Sequence, residues 1–560
     1  MKLFKKALLW FKTFPKRVYE AFLRFPISAL CSLALFTVFE LQEHHDFFDD
    51  KIFYKLIFVL SVGFILFAAG ELLLEGLNIS NIKNRIITAG AVYLLIQGYY
   101  FVAATGDGAR GFSQFAMVLC AAALFAIAAP YIKTGRGFEK NAALILVRLA
   151  SSALFSFVLF LGVSAIFSGI DLLLVSLNGD WLGEVFRICF VIFLPIMFLM
   201  GVPKKDTDAD YPKSLKALLS YVVLPVVIAF SAVLYLYYIK LIINRSLPIS
   251  EAGGISLAFL AVCIPTLILI SHFDGKLSFN VTKTLPFLLF PVIFVLYLAA
   301  IRQIMHYGIT VTRYLVIIGG FGALVSVLLI KIKKGRLQRF SCIVVSACCI
   351  LSAFGPQSAY NAASTSQSKR LKGLLTDNNM LIDGKIVPSE NVSEDDKNEI
   401  AGLIRYIERS DLNKPSYLPE GDLKDILGFD VDRINKHYHT NERNSPKEIT
   451  GYDYILYDYG SEFASFAKDG VSIEITRLSK EGITIKFNGE IVCDIPMSEI
   501  SRNIFDKLDK EKDMQEEENL IYEFENDFVK LKYIFSSISF NGASYNYGGY
   551  TVLLKIKKTH

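Results

Sequence analysis

The sequence KIKKGRLQRFSCIVVSACCILSAFGPQS, residues 331–358, decides how the chain is organised. Its first nine residues include five Lys and Arg, and the apolar run that follows ends at Gly355-Pro356. Before this stretch the chain consists mainly of long apolar runs, and after it the chain is polar and charged. We therefore predict a membrane-spanning part that ends near residue 355 and a soluble part after it.

Long apolar runs recur throughout the first part of the chain. A helix needs roughly 20 residues to cross the hydrocarbon core while it satisfies its own backbone polar groups. Region 141–183 is too long for one span, and Pro26 and Glu40 interrupt the first run, so ten and twelve spans remain alternatives. The predicted fold is an α-helical polytopic membrane protein with about 11 transmembrane helices and a C-terminal soluble α+β domain. The predicted spans are 25–41, 53–74, 86–104, 112–132, 147–170, 186–202, 217–239, 254–271, 284–301, 312–330 and 338–355.

The distribution of Lys and Arg predicts the orientation, because basic residues of short loops are retained on the cytoplasmic side during insertion. With eleven alternating spans, loops on the side of the amino terminus carry about 24 basic residues and the opposite loops about eight. The basic stretch 331–339 orients the last span independently of the total count. We expect a cytoplasmic amino terminus in the inner membrane. An odd span count then places the C-terminal domain outside the cytoplasm, and an even count reverses this.

Four regions follow from these patterns: a basic cytoplasmic N-terminus at 1–24, a transmembrane helical domain at 25–355, a juxtamembrane connector at 356–390 and a soluble α+β domain at 391–560. The net charge of +5 divides into about +14 before residue 356 and about −9 after it. The basic excess therefore indicates topology, and we expect no nucleic-acid partner. A cleavable signal peptide is a weaker interpretation of the N-terminus, since no small-x-small site follows Val38.

The soluble part contains local signals for both helices and strands. Ser393 and Asp396 form a capping-box-like start before an amphipathic helix. Asn488-Gly489 joins two runs of alternating apolar residues, which predicts a β-hairpin. A second helix is predicted over 498–510, and two further strands near 528–540 and 550–557 flank a Gly/Tyr-rich turn at 541–549.

Familiar catalytic signatures are absent from the sequence. It contains no Gly-x-x-x-x-Gly-Lys-Ser/Thr, His-Glu-x-x-His or Gly-x-Ser-x-Gly pattern and no Cys-x-x-Cys pair. His437 and His439 near Asp430 and Asp432, and the pair His44-His45, are conceivable metal ligands, but no third ligand follows at a recognisable spacing. We read them as surface histidines and predict no catalytic residue, metal or cofactor.

Several ionisable residues fall inside predicted spans, where an unpaired charge is costly. Most lie near a predicted span end, so the simpler interpretation is that their side chains reach the interface. The alternative is a polar pathway in which Asp171 pairs with Arg148 or Arg187. The residues concerned are Glu40, Glu71, Arg148, Asp171, Arg187 and Arg302.

The connection between the ninth and tenth spans is a further candidate site. In one interpretation Gly308 makes a tight turn and Thr310 caps the next helix, which gives an anchored loop. In the other, basic and aromatic side chains form an anion or headgroup site that faces the external domain. The candidate residues are Arg302, His306, Tyr307, Thr310 and Arg313.

A family resemblance rests on that connection and on strings to either side of it. The string Tyr-Gly-Ile-Thr-x-x-Arg-Tyr at 307–314 is the most specific part, and it is accompanied by Tyr211-Pro212-Lys213, Leu224-Pro225, Gly355-Pro356, Ser366-Gln367 and Arg370-Leu371. Over roughly 180–390 the chain resembles the bacterial membrane family named domain of unknown function 4153. The resemblance implies a multi-pass envelope protein and supplies no activity.

Three functional classes fit the sequence. The first is a non-enzymatic envelope protein for binding, sensing or assembly, whose partners are the bilayer and an envelope ligand or protein partner of the external domain. The second is a secondary transporter or channel for a small solute, which many spans and intramembrane charges favour although no inverted repeat is evident. The third is a membrane-embedded enzyme that acts on a lipid-linked envelope substrate.

Overall fold

The computed structural model describes residues 14–79, 81–103, 108–133, 137–173, 180–204, 213–244, 252–271, 276–332, 337–389, 392–419, 423–429, 437–439, 451–457, 463–468, 471–478, 482–508, 517–541, 544–547 and 550–557. The chain forms two compact units. The first contains residues 1–370 and 407–415, and the second contains 371–406 and 416–560.

The first unit is helical. Its helices are α1 Phe14–Arg24, α2 Pro26–His45, α3 Asp50–Leu77, α4 Ile82–Gly98, α5 Ala109–Ala128, α6 Phe138–Leu173, α7 Trp181–Arg187, α8 Leu194–Gly201, α9 Lys213–Leu218, α10 Leu224–Ile243, α11 Ala252–Ile270, α12 Lys276–Tyr307, α13 Val311–Ile332 and α14 Gln338–Ala353. The helix α15, Ala359–Asp377, then continues from the first unit into the second.

Wider π-helical turns join some of these helices into longer spans. One at Ile188–Phe193 links α7 to α8, and one at Leu219–Val223 links α9 to α10. Each ends directly before a Leu-Pro pair. Because proline lacks an N–H and its ring clashes with a carbonyl one turn earlier, a wider turn lets the helix continue past it.

The spanning architecture is confirmed, whereas the count of eleven is not. Among the described residues, eight helices are long and apolar enough to cross a membrane, and nine if α1 and α2, bent by 104° at Phe25-Pro26, count as one span. The residue before a proline avoids the helical conformation, which explains that bend. The predicted spans 86–104 and 338–355 correspond to α4 and α14, whose 17 and 16 residues fall short of that length test.

Helices α11, α12 and α13 form the apolar centre of the first unit. Leu260, Leu267, Leu289, Leu296 and Val327 are fully buried there. Of the candidate spans, Ala252–Ile270 is the most enclosed, with 56% of its most apolar window buried, compared with 22% for Phe138–Asp171. Most of the surface of α6 is therefore not covered by the described helices, and an apolar surface of this kind suits contact with lipid.

Polar contacts sort the helix termini of the first unit into two opposite ends. At what we call the first end, Arg24 of α1 binds Glu75 near the end of α3 and the backbone carbonyls of Val202 and Pro203 after α8. At the second end, α5 begins beside the last residue of α14, where the Gln114 amide donates to the Ala353 carbonyl at 2.9 Å. These contacts define two ends of the first unit, and each loop or cavity described below is placed at one of them.

The second unit is α+β, as the sequence predicts. A shared apolar core joins two four-stranded antiparallel sheets, ordered β4-β13-β10-β9 and β5-β6-β7-β8, to the helix α18. The remaining helices are α16 Glu394–Arg409 and α17 Leu423–Leu427, and α18 spans Met497–Lys507. The strands are β1 Leu381–Ile382, β2 Lys385–Ile386, β3 His437–His439, β4 Tyr454–Tyr457, β5 Phe463–Lys468, β6 Val471–Leu478, β7 Gly482–Phe487, β8 Glu490–Pro496, β9 Ile521–Glu525, β10 Val529–Phe535, β11 Ser537–Asn541, β12 Ser544–Tyr547 and β13 Tyr550–Ile556.

Local signals in this unit are confirmed with two exceptions, of which the first is the strand predicted near 528–540, because it forms two strands, β10 and β11, in different sheets. Asn488 and Gly489 adopt φ values of 49° and 88°, which the tight β7–β8 turn requires, and the Ser393 hydroxyl accepts a hydrogen bond from the Asp396 amide at the start of α16. The predicted Gly/Tyr-rich turn at 541–549 is wrong in part, because residues 544–547 form β12 and pair with β11. Alternating tyrosines favour an extended strand once a partner strand lies beside them.

Candidate functional site

The connection between α12 and α13 at the second end is a short capped turn. Gly308 ends α12 with a φ of 71°, and its amide donates to the Ile304 carbonyl at 2.9 Å. The Thr310 hydroxyl accepts a hydrogen bond from the Arg313 amide at 3.4 Å, so Thr310 caps α13 as the sequence predicts. Glycine is favoured at 308 because a left-handed backbone conformation disfavours other residues.

Two side chains of α15 bind the backbone of this turn. The Ile309 amide donates to the Ser366 hydroxyl at 2.9 Å. The Gln367 side-chain amide donates to the carbonyls of Tyr307 and Ile309, at 3.1 and 2.8 Å. These contacts satisfy backbone groups that neither helix satisfies. The sequence signal was their place in the family strings, since neither side chain is charged or aromatic.

The Arg313 side chain, from the first turn of α13, donates hydrogen bonds to the same connection. Its Nε donates to the Gln303 side chain at 3.1 Å, and its guanidinium also donates to the carbonyls of Gly308 and Tyr307, at 2.9 and 3.3 Å. The guanidinium groups of Arg313 and Arg370 lie 5.4 and 5.6 Å from the centre of the Tyr307 ring. The geometry therefore gives Arg313 an anchoring role and places two cations around one exposed aromatic ring.

The structure brings together part of the predicted set at this turn. Tyr307, Thr310 and Arg313 are in contact through the bonds described above, and Arg370 joins them. His306 is exposed next to Tyr307, with 6.3 Å between the ring centres. Arg302 is half-buried one and a half turns earlier on α12.

Arg187 is a buried cation with carboxylate partners on α2. Its Nε lies 2.9 Å from Glu40 Oε1, and its second nitrogen lies 3.6 Å from Glu43 Oε2. His44 is 3.6 Å from Glu40 and 3.5 Å from Glu184. Opposite charge compensates the burial of Arg187 in this cluster. Sequence reasoning missed these partners because no local pattern indicates that α2 packs against α7.

Arg148 and Asp171 lie on one continuous helix and do not meet. They are 23 residues apart on α6, which separates them by about 34 Å. Both side chains are exposed. Arg148 lies near the first end, beside Gly201, and Asp171 lies towards the other end of α6. The structure therefore does not bring Asp171 together with Arg148, and it places Arg187 with Glu40 and Glu43.

A cavity of about 750 Å³ opens between α4, α5 and α14, and we call it the α5–α14 cleft. One face of α5 forms its wall, with Arg110, Gln114, Val118, Ala122 and Phe125 at successive turns. The cleft is thus polar at the second end and apolar deeper in the membrane. Leu94, on its rim, is 70% exposed, so the cleft opens laterally to the surroundings of α4.

Three polar groups that line the α5–α14 cleft have atoms without a partner. Within the described part of the chain, the Tyr99 hydroxyl, Gln114 Oε1 and Arg110 Nε form no hydrogen bond. Tyr99 and Gln114 are 8% and 4% exposed. Tyr99 opens the π-helical turn Tyr99–Ala103, and such turns often occur at functional sites. Buried polar atoms of this kind are usually satisfied, so these atoms point to a bound molecule or water.

The geometry of the described residues does not support the metal-site interpretation. No group of three or more His, Cys, Asp or Glu side chains that could hold an ion converges among them. The side chains of His437 and His439, together with Asp430 and Asp432, lie outside the described residues.

Comparison with known proteins gives a family. The family model described as Domain of unknown function (DUF4153) matches residues 27–389. The chain belongs to this family. The DUF4153 match extends well beyond the 180–390 region where the sequence resemblance is strongest and covers α2 to α15. No curated protein and no solved structure matches the chain.

The sites described above all belong to the DUF4153 domain. The turn at 308–310, the Arg187 cluster and the α5–α14 cleft lie within residues 27–389. The turn is internally hydrogen-bonded, whereas the cleft retains unsatisfied donors and acceptors. Of these, the cleft has the geometry of a ligand site.

Proposed function

We propose that this protein is a non-enzymatic membrane protein of the bacterial envelope that binds an amphipathic, lipid-like ligand in the α5–α14 cleft. The observation that carries the proposal is the pair of buried oxygens without a hydrogen-bond partner, the Tyr99 hydroxyl and Gln114 Oε1, at the polar end of an otherwise apolar cleft. A volume of about 750 Å³ falls in the range of small-molecule sites.

The donors and acceptors define what the ligand presents. Gln114 Oε1 accepts only, so it suits a ligand hydroxyl or amide N–H. Arg110 Nε donates only, so it suits a carbonyl, ether or phosphate oxygen, and the Tyr99 hydroxyl can do either. The apolar wall at Val118 and Phe125 then accommodates a hydrocarbon tail. A lipid enters through the lateral opening at Leu94 without crossing water.

Substitution of Tyr99 by phenylalanine tests the proposal with little risk to folding. The hydroxyl has no partner among the described residues, so its removal breaks no bond within the protein. In proteoliposomes, we expect photocrosslinking of a diazirine-tailed fatty acid to α5 and α14 to fall about threefold to tenfold, the value of one hydrogen bond. Tyr93→Phe is the matched control, because Tyr93 is an exposed tyrosine of α4, the helix that leads directly into the π-helical turn of Tyr99. Equal labelling of the wild type and Tyr99→Phe would refute the cleft as the site.

The proposal includes an orientation. We infer a cytoplasmic amino terminus and first end, eleven spans and an extracytoplasmic C-terminal domain. The basic loop residues Lys204 and Lys331 and the acidic Glu43, Asp49 and Asp50 on the opposite side support it. Protease access to an epitope placed after residue 558 tests it. Digestion in intact spheroplasts supports an external domain, and protection until lysis refutes it.

Transport of a small solute is the second candidate. It is favoured by prolines inside two enclosed helices, Pro265 in α11 and Pro286 and Pro291 in α12, because interrupted helices are common at transporter sites. Solute flux in proteoliposomes that disappears when the cleft is blocked would favour this candidate over binding alone.

A further inference from the structure

A second cavity, of about 650 Å³, lies at the first end between α1, α6 and α8. We call it the first-end pocket. It is remote from the α5–α14 cleft, which opens at the second end, and the inference drawn from it does not depend on the function proposed above.

The first-end pocket carries more cations than carboxylates among its described lining residues. Four cations, Arg17, Arg24, Arg148 and Lys204, face two carboxylates, Glu20 and Glu75. Arg24 and Glu75 neutralise one another through two bonds of 2.8 Å, and Arg24 also donates to the Val202 and Pro203 carbonyls. Arg24 is therefore part of the wall and unavailable to a ligand.

Arg148 is the cation available for binding. It lies ten residues into α6, and no carboxylate of the described chain pairs with it. A charge inside a spanning helix is costly unless it meets an opposite charge or water. Gly201 of α8 leaves room for its stem, because a Cβ at 201 would lie 2.9 Å from the Arg148 Cδ. A close packing contact thus positions a guanidinium at the pocket.

The surroundings of Arg148 match a phosphate attached to an amphiphile. Ser151 and Ser152 follow three and four residues later and share its face of α6. The Ser151 hydroxyl already donates to the Val147 carbonyl at 2.7 Å, so Ser152 supplies the further hydroxyl donor. Phe155 and Met197 supply an apolar side to the same pocket. Arginine binds phosphate through parallel N–H donors, and basic pockets between spanning helices suit anionic lipid headgroups.

We propose that the first-end pocket binds a phosphate group through Arg148, with the Ser152 hydroxyl as a further donor. An anionic phospholipid and a free phosphate-bearing solute present the same chemistry to this pocket. Arg17, on α1, lies at the rim and adds a second cation.

The test compares wild-type protein with Arg148→Gln, which keeps the stem against Gly201 and removes the charge. The full chain in detergent is titrated with phosphatidylglycerol, phosphatidylcholine or inorganic phosphate, and bound copies are counted by native mass spectrometry. We expect phosphatidylglycerol to bind in preference to phosphatidylcholine, with at least about a tenfold loss of affinity in Arg148→Gln, since one hydrogen bond to a charged group is worth that factor. Arg148→Lys retains the charge and is expected to keep most of the binding.

Lys240→Gln is the matched control, because it removes one exposed cation from the last turn of α10. It should bind phosphatidylglycerol like the wild type. If inorganic phosphate binds and competes with the lipid, a phosphate-bearing solute is a second possible ligand. If inorganic phosphate does not bind, the ligand is the lipid alone. Equal affinity of wild type, Arg148→Gln and Lys240→Gln for both probes overturns the proposal.

Discussion

Replacement of Arg313 by alanine is expected to destabilise the first unit by about 2–3.5 kcal/mol. The substitution removes three hydrogen bonds, to Gln303, Tyr307 and Gly308, and the contact with the Tyr307 ring. Net values of about 0.5–1 kcal/mol for each bond and about 0.5 kcal/mol for the ring contact are appropriate for a half-buried side chain. Arg313→Lys keeps the cation but cannot donate in two directions from a rigid fork, so about half of the loss remains.

The thermal unfolding midpoint of the full chain in detergent measures the relative stability of these variants. We expect Arg313→Ala to unfold at the lowest temperature, Arg313→Lys at an intermediate temperature and Thr312→Ala with the wild type. Thr312 is an exposed neighbour on α13 and is therefore a suitable control. An Arg313→Ala protein with an unchanged midpoint would refute the anchoring role and would favour the anion-site interpretation of the same turn.

Three further predictions concern the second unit. Gly489→Ala should lower its unfolding midpoint by the equivalent of about 1–2 kcal/mol, because alanine is strained at a φ of 88°; calorimetry measures the shift. Lys557 and Lys530 lower the pKa of Glu525 below its usual value of 4.5, so the stabilising contact is present above pH 4.5 and is lost as the pH falls through the folded pKa. Lys557→Gln should therefore lower the stability of the second unit at neutral pH and leave it unchanged in acid, as unfolding at several pH values would show. Burial raises the pKa of Cys493 to about 12, so maleimide at pH 7.5 should label it only after unfolding, as mass spectrometry of peptides would show.

Features set by a few neighbouring residues could be predicted from the sequence. Thr310 caps α13, Ser393 caps α16, and Asn488-Gly489 closes a hairpin because each depends on backbone geometry within four residues. The apolar runs predicted the spanning helices for the same reason, since length and hydropathy are local quantities.

Features set by packing between distant elements could not be predicted. Glu40 and Arg187 are 147 residues apart, and Gln367 binds a turn 58 to 60 residues earlier. The α5–α14 cleft exists only because α4, α5 and α14 leave a gap, and no spacing in the sequence records a gap. The sequence did not determine the number of spans, because α4 and α14 are short helices although their sequences are apolar.

The length of α6 relates this protein to the thickness of its bilayer. With 36 residues the helix is about 54 Å long, whereas the hydrocarbon core is about 30 Å thick, and even a tilt of about 40° would leave it too long. Arg148 and Asp171 enclose about 34 Å of apolar helix between them, which matches the core at a tilt of about 30°. These two charges thus bracket the part of α6 that fits the hydrocarbon core. The helix can meet a thicker core by tilting less, but a core thicker than about 34 Å would place one of the charges in hydrocarbon even with the helix upright.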